Sequence, residues 1–352
     1  MPEEKFMRRA LELAAQGESW TNPNPLVGAV LVKNNKIVGE GFHEKFGENH
    51  AEVKAIANAG EDAKGSTLFV NLEPCSHHGK TPPCTDAIIK AGIKKVVYAS
   101  SDPSQGKPAD ILSDAGIKIT GDVLKDEADS LNRRFLYFIK NNLPYITIKF
   151  ASSLDGKLAS KTFDSKWITN GEARIYARSL RAEHQAILVG SNTVVQDNPH
   201  LGVRSKDMKD PLRIVLDTEL KSSIDSQVYR DSNVIVFTGN KAPGPKMQKF
   251  RGKNINVHVF NTEKINIEQV LQYLAEQKII SVLVEGGGEV IGSFADSGFI
   301  NEVYAFYAPI LVGGKESPAI FGEGVKDIKD AMRIRNPKTK KFGDNFLIYG
   351  LV

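Results

Sequence analysis

Only two cysteines occur in this chain of 352 residues, and a histidine lies shortly before them. Cys75 and Cys84 are separated by eight residues, and His50 precedes them by one strand-like run, Thr67 to Leu72. Two thiolates and an imidazole form a three-ligand zinc set that leaves a fourth position open, which is typical of a catalytic zinc site. The sequence therefore predicts a zinc centre with the metal ligands His50, Cys75 and Cys84.

Glu52 lies two residues after His50 and is the natural proton carrier beside such an open position. A carboxyl group there can take a proton from the attacking water and return it to a leaving amine. The alternative is two buried structural cysteines and a surface histidine. The joint spacing of the residues favours the zinc site.

Two helices must position these residues. An apolar-periodic run that ends at Gly60 predicts a helix with His50 and Glu52 in its first turn. A second helix, capped by Thr81, is expected to have Cys84 in its first turn. Because the positive end of a helix dipole stabilises a thiolate, both helices would direct their N-termini at one metal.

Composition excludes several classes of protein. Lys and Arg number 46 against 42 Asp and Glu, so the net charge of +4 is too balanced for a dedicated nucleic-acid binder. No run of about 18 apolar residues predicts a membrane span, and Met1 to Arg9 lacks the apolar core of a signal peptide. Cysteines committed to a metal fit a reducing compartment, so we expect a cytoplasmic protein.

Strands alternate with helices along the first part of the chain. Leu26 to Val32 and Ile37 to Phe42 predict a hairpin, Lys95 to Ala99 predicts a strand, and Lys125 to Lys140 predicts one helix. This alternation predicts an α/β sandwich around a mixed sheet. The length of the chain predicts two domains, and the breaker Asn-Asn-Leu-Pro divides residues 1–143 from residues 144–352.

A glycine run in the second domain suggests a phosphate cradle. Glu285 to Ser293 follows a predicted strand and opens a helix, where backbone N–H groups face an anion. The glycines at 286, 288 and 292 miss the dinucleotide-binding spacing by one residue, so a plain glycine-rich turn is an equal alternative for this loop alone. Gly190 to Pro199 is expected to be a polar loop.

Several motifs together resemble one family. The stretch PCSHHGKTPPC resembles the deaminase half of the bifunctional deaminase–reductases of riboflavin biosynthesis, whereas generic nucleobase deaminases have two residues between the cysteines. In the second domain, KFASSLDGK, SKWIT, LRA, GSNTVxxDNPxLxVR and VEGGG resemble the reductase half. The resemblance covers nearly the full chain.

This resemblance implies an N-terminal zinc-dependent pyrimidine deaminase with a cytidine-deaminase-like α/β/α sandwich, followed by an NADPH-dependent reductase with a dihydrofolate-reductase-like α/β fold. The implied reactions are hydrolytic deamination of 2,5-diamino-6-(5-phosphoribosylamino)pyrimidin-4-one and reduction of the ribosyl group of 5-amino-6-(5-phosphoribosylamino)uracil to ribityl. The implied cofactors are Zn²⁺ and NADPH. Partners are small-molecule pyrimidine ribotides, without nucleic acid or membrane, and we expect a homo-oligomer.

The resemblance also implies three groups of binding residues. The deaminase substrate would contact Asn24, His43, His77 and Lys80. The reductase substrate would contact Ser165, Arg181, Leu201, Arg204 and Glu285. NADPH would contact Ser152, Trp167, Thr193, Asp197, Gly287, Gly288, Glu289, Val290, Ile291, Gly292 and Ser293.

Taken singly, these residues have ordinary alternatives: Asn24 as a turn residue, His43 as a solvated histidine, Trp167 as core. The guanidinium forks of Arg181 and Arg204 match a phosphate, although either could be a solvated surface charge.

Lys149 lies in the middle of a predicted apolar strand. We expect it to act as a catalytic group that protonates or polarises the anomeric centre. A buried structural ion pair is the alternative.

Two other functions compete with this interpretation. A tRNA or nucleoside deaminase with an accessory domain is disfavoured by the eight-residue insert, the reductase-like motifs and the lack of a basic tract. A ligand-sensing or nucleic-acid-binding protein with an inactive zinc fold is disfavoured because His50, Glu52, Cys75 and Cys84 are all present.

The first prediction concerns the metal. The protein should hold about one zinc per chain, because three ligands with joint spacing form one site. A double variant, Cys75→Ser with Cys84→Ser, should lose this zinc in elemental analysis. Undiminished zinc in a folded double variant would contradict the assignment.

Overall fold

The computed structural model describes residues 2–78 and 82–352. The chain divides into two compact units, Met1–Asn142 and Leu143–Val352, with the division inside the Asn-Asn-Leu-Pro joint. Lys80 and Thr81, expected as a substrate contact and a helix cap, lie outside the described residues.

The first unit alternates strands with helices. Its elements are α1 (Pro2–Ala15), β1 (Gly28–Lys33), β2 (Lys36–Phe42), α2 (Ala51–Ala59), β3 (Thr67–Leu72), α3 (Cys84–Lys90), β4 (Lys95–Ser100), α4 (Pro108–Asp114), β5 (Lys118–Thr120), α5 (Lys125–Leu131) and α6 (Arg133–Asn141). Among the described residues, five strands form a sheet in the order β2-β1-β3-β4-β5. β1 pairs antiparallel with β2 and β3, whereas β3, β4 and β5 run parallel.

Both faces of this sheet are covered, because alternate residues of each strand point to opposite sides. Leu31 belongs to one core cluster with Ala55 of α2 and Ile88 of α3. Val30 belongs to the other cluster with Met7 of α1. These two layers of helices confirm the expected α/β/α sandwich.

The single helix expected over Lys125–Lys140 is wrong: the structure has α5 and α6, separated at Asn132. The side chain of Asn132 accepts a hydrogen bond from the Leu26 N–H at 2.9 Å and donates to the Leu26 carbonyl at 2.9 Å. The residue at which the helix is interrupted is therefore hydrogen-bonded to a residue that is distant in the sequence.

The second unit also alternates strands with helices. Its elements are β6 (Tyr145–Ser153), α7 (Gly171–Ser179), β7 (Ala186–Gly190), α8 (Ser191–Asp197), β8 (Leu212–Leu216), β9 (Val234–Thr238), α9 (Gly244–Gly252), β10 (Asn256–Val259), α10 (Ile267–Glu276), β11 (Ser281–Val284), α11 (Gly288–Ser297), β12 (Glu302–Ala308), β13 (Arg335–Phe342) and β14 (Asn345–Leu351).

The strand order of this unit is β10-β9-β8-β7-β11-β6-β12-β14-β13 within the described residues. The strands from β10 to β12 run parallel, and β14 and β13 join antiparallel at one edge. Ile148 and Leu188 share one core cluster with α10 and α11, whereas Val189 packs with α8 and α9 on the other face. The expected second α/β domain is confirmed.

The expectation of a polar loop over Gly190–Pro199 is wrong, because most of it forms α8. Val194 is 1% exposed and packs into the core. This apolar contact holds the otherwise polar helix against the sheet. Asn198 ends the helix in the left-handed conformation, with φ of 41°.

A segment around Ala319 and Phe321 lies directly against α11. A Cβ atom on Gly288 would lie 1.7 Å from the Ala319 carbonyl oxygen, and one on Gly292 would lie 1.8 Å from the Phe321 carbonyl oxygen. The Phe321 N–H donates to the Gly288 carbonyl at 3.2 Å. These two glycines are therefore required by chain packing.

No helix in residues 2–78 and 82–352 combines the length and apolar character needed to cross a membrane.

The second prediction concerns this packing. Gly292→Ala should destabilise the second unit by about 1–3 kcal/mol, because the new methyl group has no space beside the Phe321 carbonyl. Gly252→Ala is the matched control, because Gly252 ends α9 and a Cβ there meets nothing within 4 Å. Urea unfolding measures both. Equal midpoints for the two variants would contradict the packing argument.

Candidate active sites

His50, Cys75 and Cys84 meet at one edge of the first sheet. His50 is the N-cap residue of α2, Cys75 follows β3, and Cys84 is the first residue of α3. The His50 Nδ1 atom lies 3.1 Å from the Cys84 Sγ atom and 3.5 Å from the Cys75 Sγ atom. Pro83 is the N-cap residue of α3, and it makes no side-chain hydrogen bond to the helix.

The donor set fits a zinc ion. The three ligand atoms lie within 4.8 Å of one another. Zinc bonds of about 2.0–2.3 Å in tetrahedral geometry separate ligand atoms by roughly 3.5–3.8 Å. Only small shifts of these side chains are therefore needed to bind one ion.

A hydrogen bond links the two thiols. The hydrogen bond from the Cys84 thiol lowers the pKa of Cys75, and the same contact raises the pKa of Cys84. The Cys84 backbone N–H also donates to the Cys75 Sγ atom at 3.3 Å. The start of α3 thus supports a negative charge on Cys75, as expected of a helix N-terminus.

Glu52 is 3% exposed and lies in the first turn of α2. Burial raises the pKa of its carboxyl group, and the nearby Cys75 raises that pKa further. Its Oε2 atom has no hydrogen-bond partner among the described residues. A carboxyl group with a raised pKa and a vacant oxygen is suited to carrying protons.

A cavity of about 390 Å³ opens in front of these residues. Four of the predicted deaminase residues line it together with His50 and Cys75: Asn24, His43, Glu52 and His77. The Asn24 Nδ2 atom lies 3.1 Å from the His43 Nε2 atom. His43 is 3% exposed, so it is not a solvated histidine, and burial lowers its pKa.

Two buried asparagines hold the segment that carries Asn24. The Asn71 side chain accepts from the Gly28 N–H at 2.8 Å and donates to the Leu26 carbonyl at 2.9 Å. Asn132 bonds both backbone groups of Leu26, as described above. These four hydrogen bonds fix the residues that follow Asn24 against the sheet.

The cavity lining also contains a polar group that the sequence did not indicate, formed by Asp102, Ser104 and Gln105. The Gln105 Oε1 atom lies 2.7 Å from the His77 Nδ1 atom, and the Gln105 Nε2 atom donates to Asp102 at 3.2 Å. Asp102 follows β4, the parallel neighbour of β3. Because carboxyl ends of parallel strands meet at one edge, this pairing could have indicated the residue.

The second unit contains a cleft of about 640 Å³ at the carboxyl ends of its parallel strands. Eight predicted binding residues line it: Ser165, Thr193, Asp197, Gly287, Gly288, Glu289, Val290 and Ser293. The structure thus brings together α8 and the start of α11.

Other predicted residues lie outside this lining. Ile291 is 2% exposed in the core, and Gly292 packs against Phe321. Trp167 is 68% exposed, so it is not a core residue, and the Arg174 guanidinium lies 4.2 Å from its ring centre. Four more that do not line the cleft are Ser152, Leu201, Arg204 and Glu285.

The start of α11, which the sequence suggests as an anion cradle, opens into this cleft. The Gly287 N–H donates to the Thr193 Oγ1 atom at 3.2 Å. A Cβ on Gly287 would meet only this Thr193 oxygen, at 3.6 Å, so Gly287 faces open space in the cleft. Ser152 is 1% exposed, and its hydroxyl has no hydrogen-bond partner among the described residues.

A buried ion cluster joins Lys149, Arg181 and Glu285. The Arg181 fork donates to both Glu285 carboxylate oxygens, at 2.8 and 3.0 Å, and its third nitrogen donates to the Gly202 carbonyl at 2.9 Å. The Lys149 Nζ atom lies 3.6 Å from the Glu285 Oε2 atom. The expectation that the Arg181 fork faces a phosphate is therefore not met, because Glu285 occupies it.

Burial alone would raise the pKa of Glu285, but Arg181 and then Lys149 lower it to about 2. The Glu285 side chain is 9% exposed. The two cations therefore keep a buried carboxylate charged.

Two family profiles match the chain, one in each unit. The cytidine and deoxycytidylate deaminase zinc-binding region matches residues 1–100, and the RibD C-terminal domain matches residues 144–348.

Named relatives are similar over nearly the whole chain. The riboflavin biosynthesis protein RibD of Bacillus amyloliquefaciens is 46% identical, over 97% of this chain and 94% of the relative. RibD of Aquifex aeolicus is 43% identical, over 99% of this chain and 98% of the relative.

Solved structures are similar as well. Acinetobacter baumannii RibD is 34% identical with a TM-score of 0.91, over 100% of this chain and 98% of that one. A diaminohydroxyphosphoribosylaminopyrimidine deaminase/5-amino-6-(5-phosphoribosylamino)uracil reductase of Thermotoga maritima is 37% identical with a TM-score of 0.89, over 99% and 98%.

The third prediction concerns the pH dependence of stability. Because the folded pKa of Glu285 lies below the unfolded value of 4.5, its stabilising effect is complete above pH 4.5 and is lost as the pH falls towards 2. The free energy of unfolding of the wild type, relative to Glu285→Gln, should fall by about 1.4 kcal/mol per pH unit in this window. Urea unfolding between pH 5 and pH 3 measures the difference. Parallel pH curves for the two proteins would contradict it.

Proposed function

Because the chain belongs to the RibD family of bifunctional deaminase–reductases in riboflavin biosynthesis, we propose which residues carry out its two reactions. The substrates are those in the name of the Thermotoga relative. The first is the diaminopyrimidinone ribotide, which loses an amino group by hydrolysis. The second is the aminouracil ribotide, whose ribosyl group is reduced to ribityl.

His50, Cys75 and Cys84 hold a zinc ion in the deaminase. The ion would supply Lewis-acid activation of water at the ligand cluster. Glu52 takes a proton from the attacking water and delivers it to the amino group as the carbon–nitrogen bond breaks, so that ammonia leaves. Its raised pKa supports this role, because the carboxyl group must both accept and return the proton near neutral pH.

The substrate lies in the cavity of about 390 Å³. Asn24 and His43 contact it from one wall, and His77 contacts it from the segment that follows Cys75. We also assign Lys80 to the substrate on the resemblance of the PCSHHGKTPPC motif.

NADPH binds in the cleft of the second unit, where it would supply a hydride to the anomeric carbon. Gly287 has no side chain to block the approach of the phosphates, and Thr193 lies beside it. We also assign Ser152 to the cofactor on the family resemblance; its hydroxyl group has no hydrogen-bond partner among the described residues. Asp197 and Trp167 contribute further contacts.

The ribotide phosphate is bound through Arg204, which is exposed and carries its charge in a group of cations. The pKa of Arg178 is lowered by burial and then by the charges of Arg204, Arg181 and Arg174. Arg181 orients Glu285, since its fork is filled by that carboxylate. Lys149, held beside Glu285, donates a proton to the sugar as the ring opens. Ser165 and Leu201 complete the substrate contacts.

The observation that most supports the deaminase is the combination of three converging ligands with the vacant Glu52 oxygen. A tRNA or nucleoside deaminase is not supported, because the RibD C-terminal domain occupies residues 144–348. We propose a cytoplasmic enzyme that forms homo-oligomers and binds neither nucleic acid nor membrane.

The fourth prediction tests the role of Glu52. Glu52→Gln should retain zinc but lose deamination by at least about a hundredfold, the usual scale of general acid–base catalysis. Incubation of the pure protein with the diaminopyrimidinone ribotide, with and without NADPH, identifies each product by mass.

The same variant contains an internal control. Reduction of supplied aminouracil ribotide should persist, since it belongs to the second unit. Near-normal ammonia release by Glu52→Gln would refute the role of Glu52, and absence of reduction in the wild type with NADPH would refute the assigned cofactor.

A further inference from the structure

The cleft of the second unit extends well beyond its anion cradle. The cradle lies after β11, and the sheet continues outward through β7, β8, β9 and β10. At about 4.8 Å per strand, the end of β8 lies roughly 10 Å from the end of β11. The remainder of a bound dinucleotide can therefore extend along these strand ends.

Three lysines line this extension, and they differ in their surroundings. Lys241 is paired with Glu263 at 2.7 Å. Lys264 follows β10, four strands from β11 and so roughly 19 Å away. Lys221 follows β8, and no carboxylate lies within 4 Å of its ammonium group among the residues described.

The position of Lys221 is set by two contacts. Its Nζ atom donates to the neutral Asn192 Oδ1 atom at 2.6 Å. The Asn192 Nδ2 atom donates in turn to Glu289 at 3.1 Å, in the first turn of α11. The ammonium group is thus held near the start of α11 by a neutral oxygen atom.

The turn that presents Lys221 is built on a buried acid. Asp217 is fully buried and accepts from the Lys221 N–H at 2.8 Å and from the Ser222 N–H at 2.8 Å and hydroxyl at 2.6 Å. An NAD-specific site commonly uses an acid after a strand to bind the ribose 2′-hydroxyl. Asp217 is not available for that contact, because its oxygens are committed to the turn.

Two exposed carboxylates near Lys221 make its positive charge important for binding a phosphate group. Glu219 lies on the same turn, and Glu289 lies on α11; both are exposed and line the cleft. Without Lys221, a further phosphate group beside Glu219 and Glu289 would lose the ammonium group that Asn192 holds near these carboxylates. Like charges at close range disfavour binding, whereas an ammonium group bonds phosphate oxygens strongly.

We propose that Lys221, held by Asn192, binds the 2′-phosphate of NADPH and so selects this cofactor over NADH. The inference rests on the proposed function, in which NADPH occupies this cleft. It assigns a binding role to a residue that the sequence motifs did not indicate.

Binding titrations followed by nicotinamide fluorescence test the proposal without any turnover. Lys221→Met should weaken NADPH binding by about ten- to a hundredfold, the usual loss for a hydrogen bond to a charged group, and leave NADH binding unchanged. Lys221→Arg should largely retain the preference. Lys241→Met is the matched control, since it removes an already paired charge from the same cleft.

The outcomes separate the inference from the function on which it rests. Equal weakening of both cofactors by Lys221→Met would place Lys221 at the shared pyrophosphate and overturn the proposal. An unchanged preference in the variant would also overturn it while leaving NADPH as the cofactor. A wild type that binds neither cofactor, or prefers NADH, would refute the proposed cofactor and the inference together.

Discussion

Parallel strand pairing brings the carboxyl ends of neighbouring strands to one edge of a sheet, and both candidate sites are built at such an edge. In the first unit Cys75 follows β3, while Asp102 follows its parallel neighbour β4. In the second, the turn with Lys221 follows β8, and the cradle follows β11. Helices that return along the sheet begin at this edge, so their free N–H groups face the same space.

The glycines at the start of α11 differ in their surroundings. Gly288 and Gly292 are required because backbone carbonyls of Ala319 and Phe321 lie where side chains would be. Gly287 instead faces the open cleft. The glycine that faces the cleft is therefore not one of the two that packing most constrains.

Each unit contains a buried glutamate, and the pKa values of the two carboxyl groups are shifted in opposite directions. Glu285 remains ionised because Arg181 and Lys149 offset its desolvation. Among the described residues no lysine or arginine forms an ion pair with Glu52, and burial raises its pKa instead. The same residue type is therefore a fixed charge in one site, whereas in the other it has the raised pKa that the proposed proton carrier needs.

The sequence by itself determined the α/β class, and it predicted the ligand set, Glu52 and a division into two domains, because residue chemistry, short spacing and strand–helix alternation are local properties. It did not indicate the break at Asn132 or the helix α8, since both depend on distant partners: the backbone of Leu26 in one case and the core around Val194 in the other.

Only the tertiary structure decided which distant residues meet. Arg181 and Glu285 are 104 positions apart, and their pairing changes the role inferred for the Arg181 fork. Gln105 beside His77 and Asn192 beside Lys221 are likewise products of strand order. A one-dimensional pattern records which faces of an element are apolar, but the order in which strands pair sets the neighbours of each polar side chain.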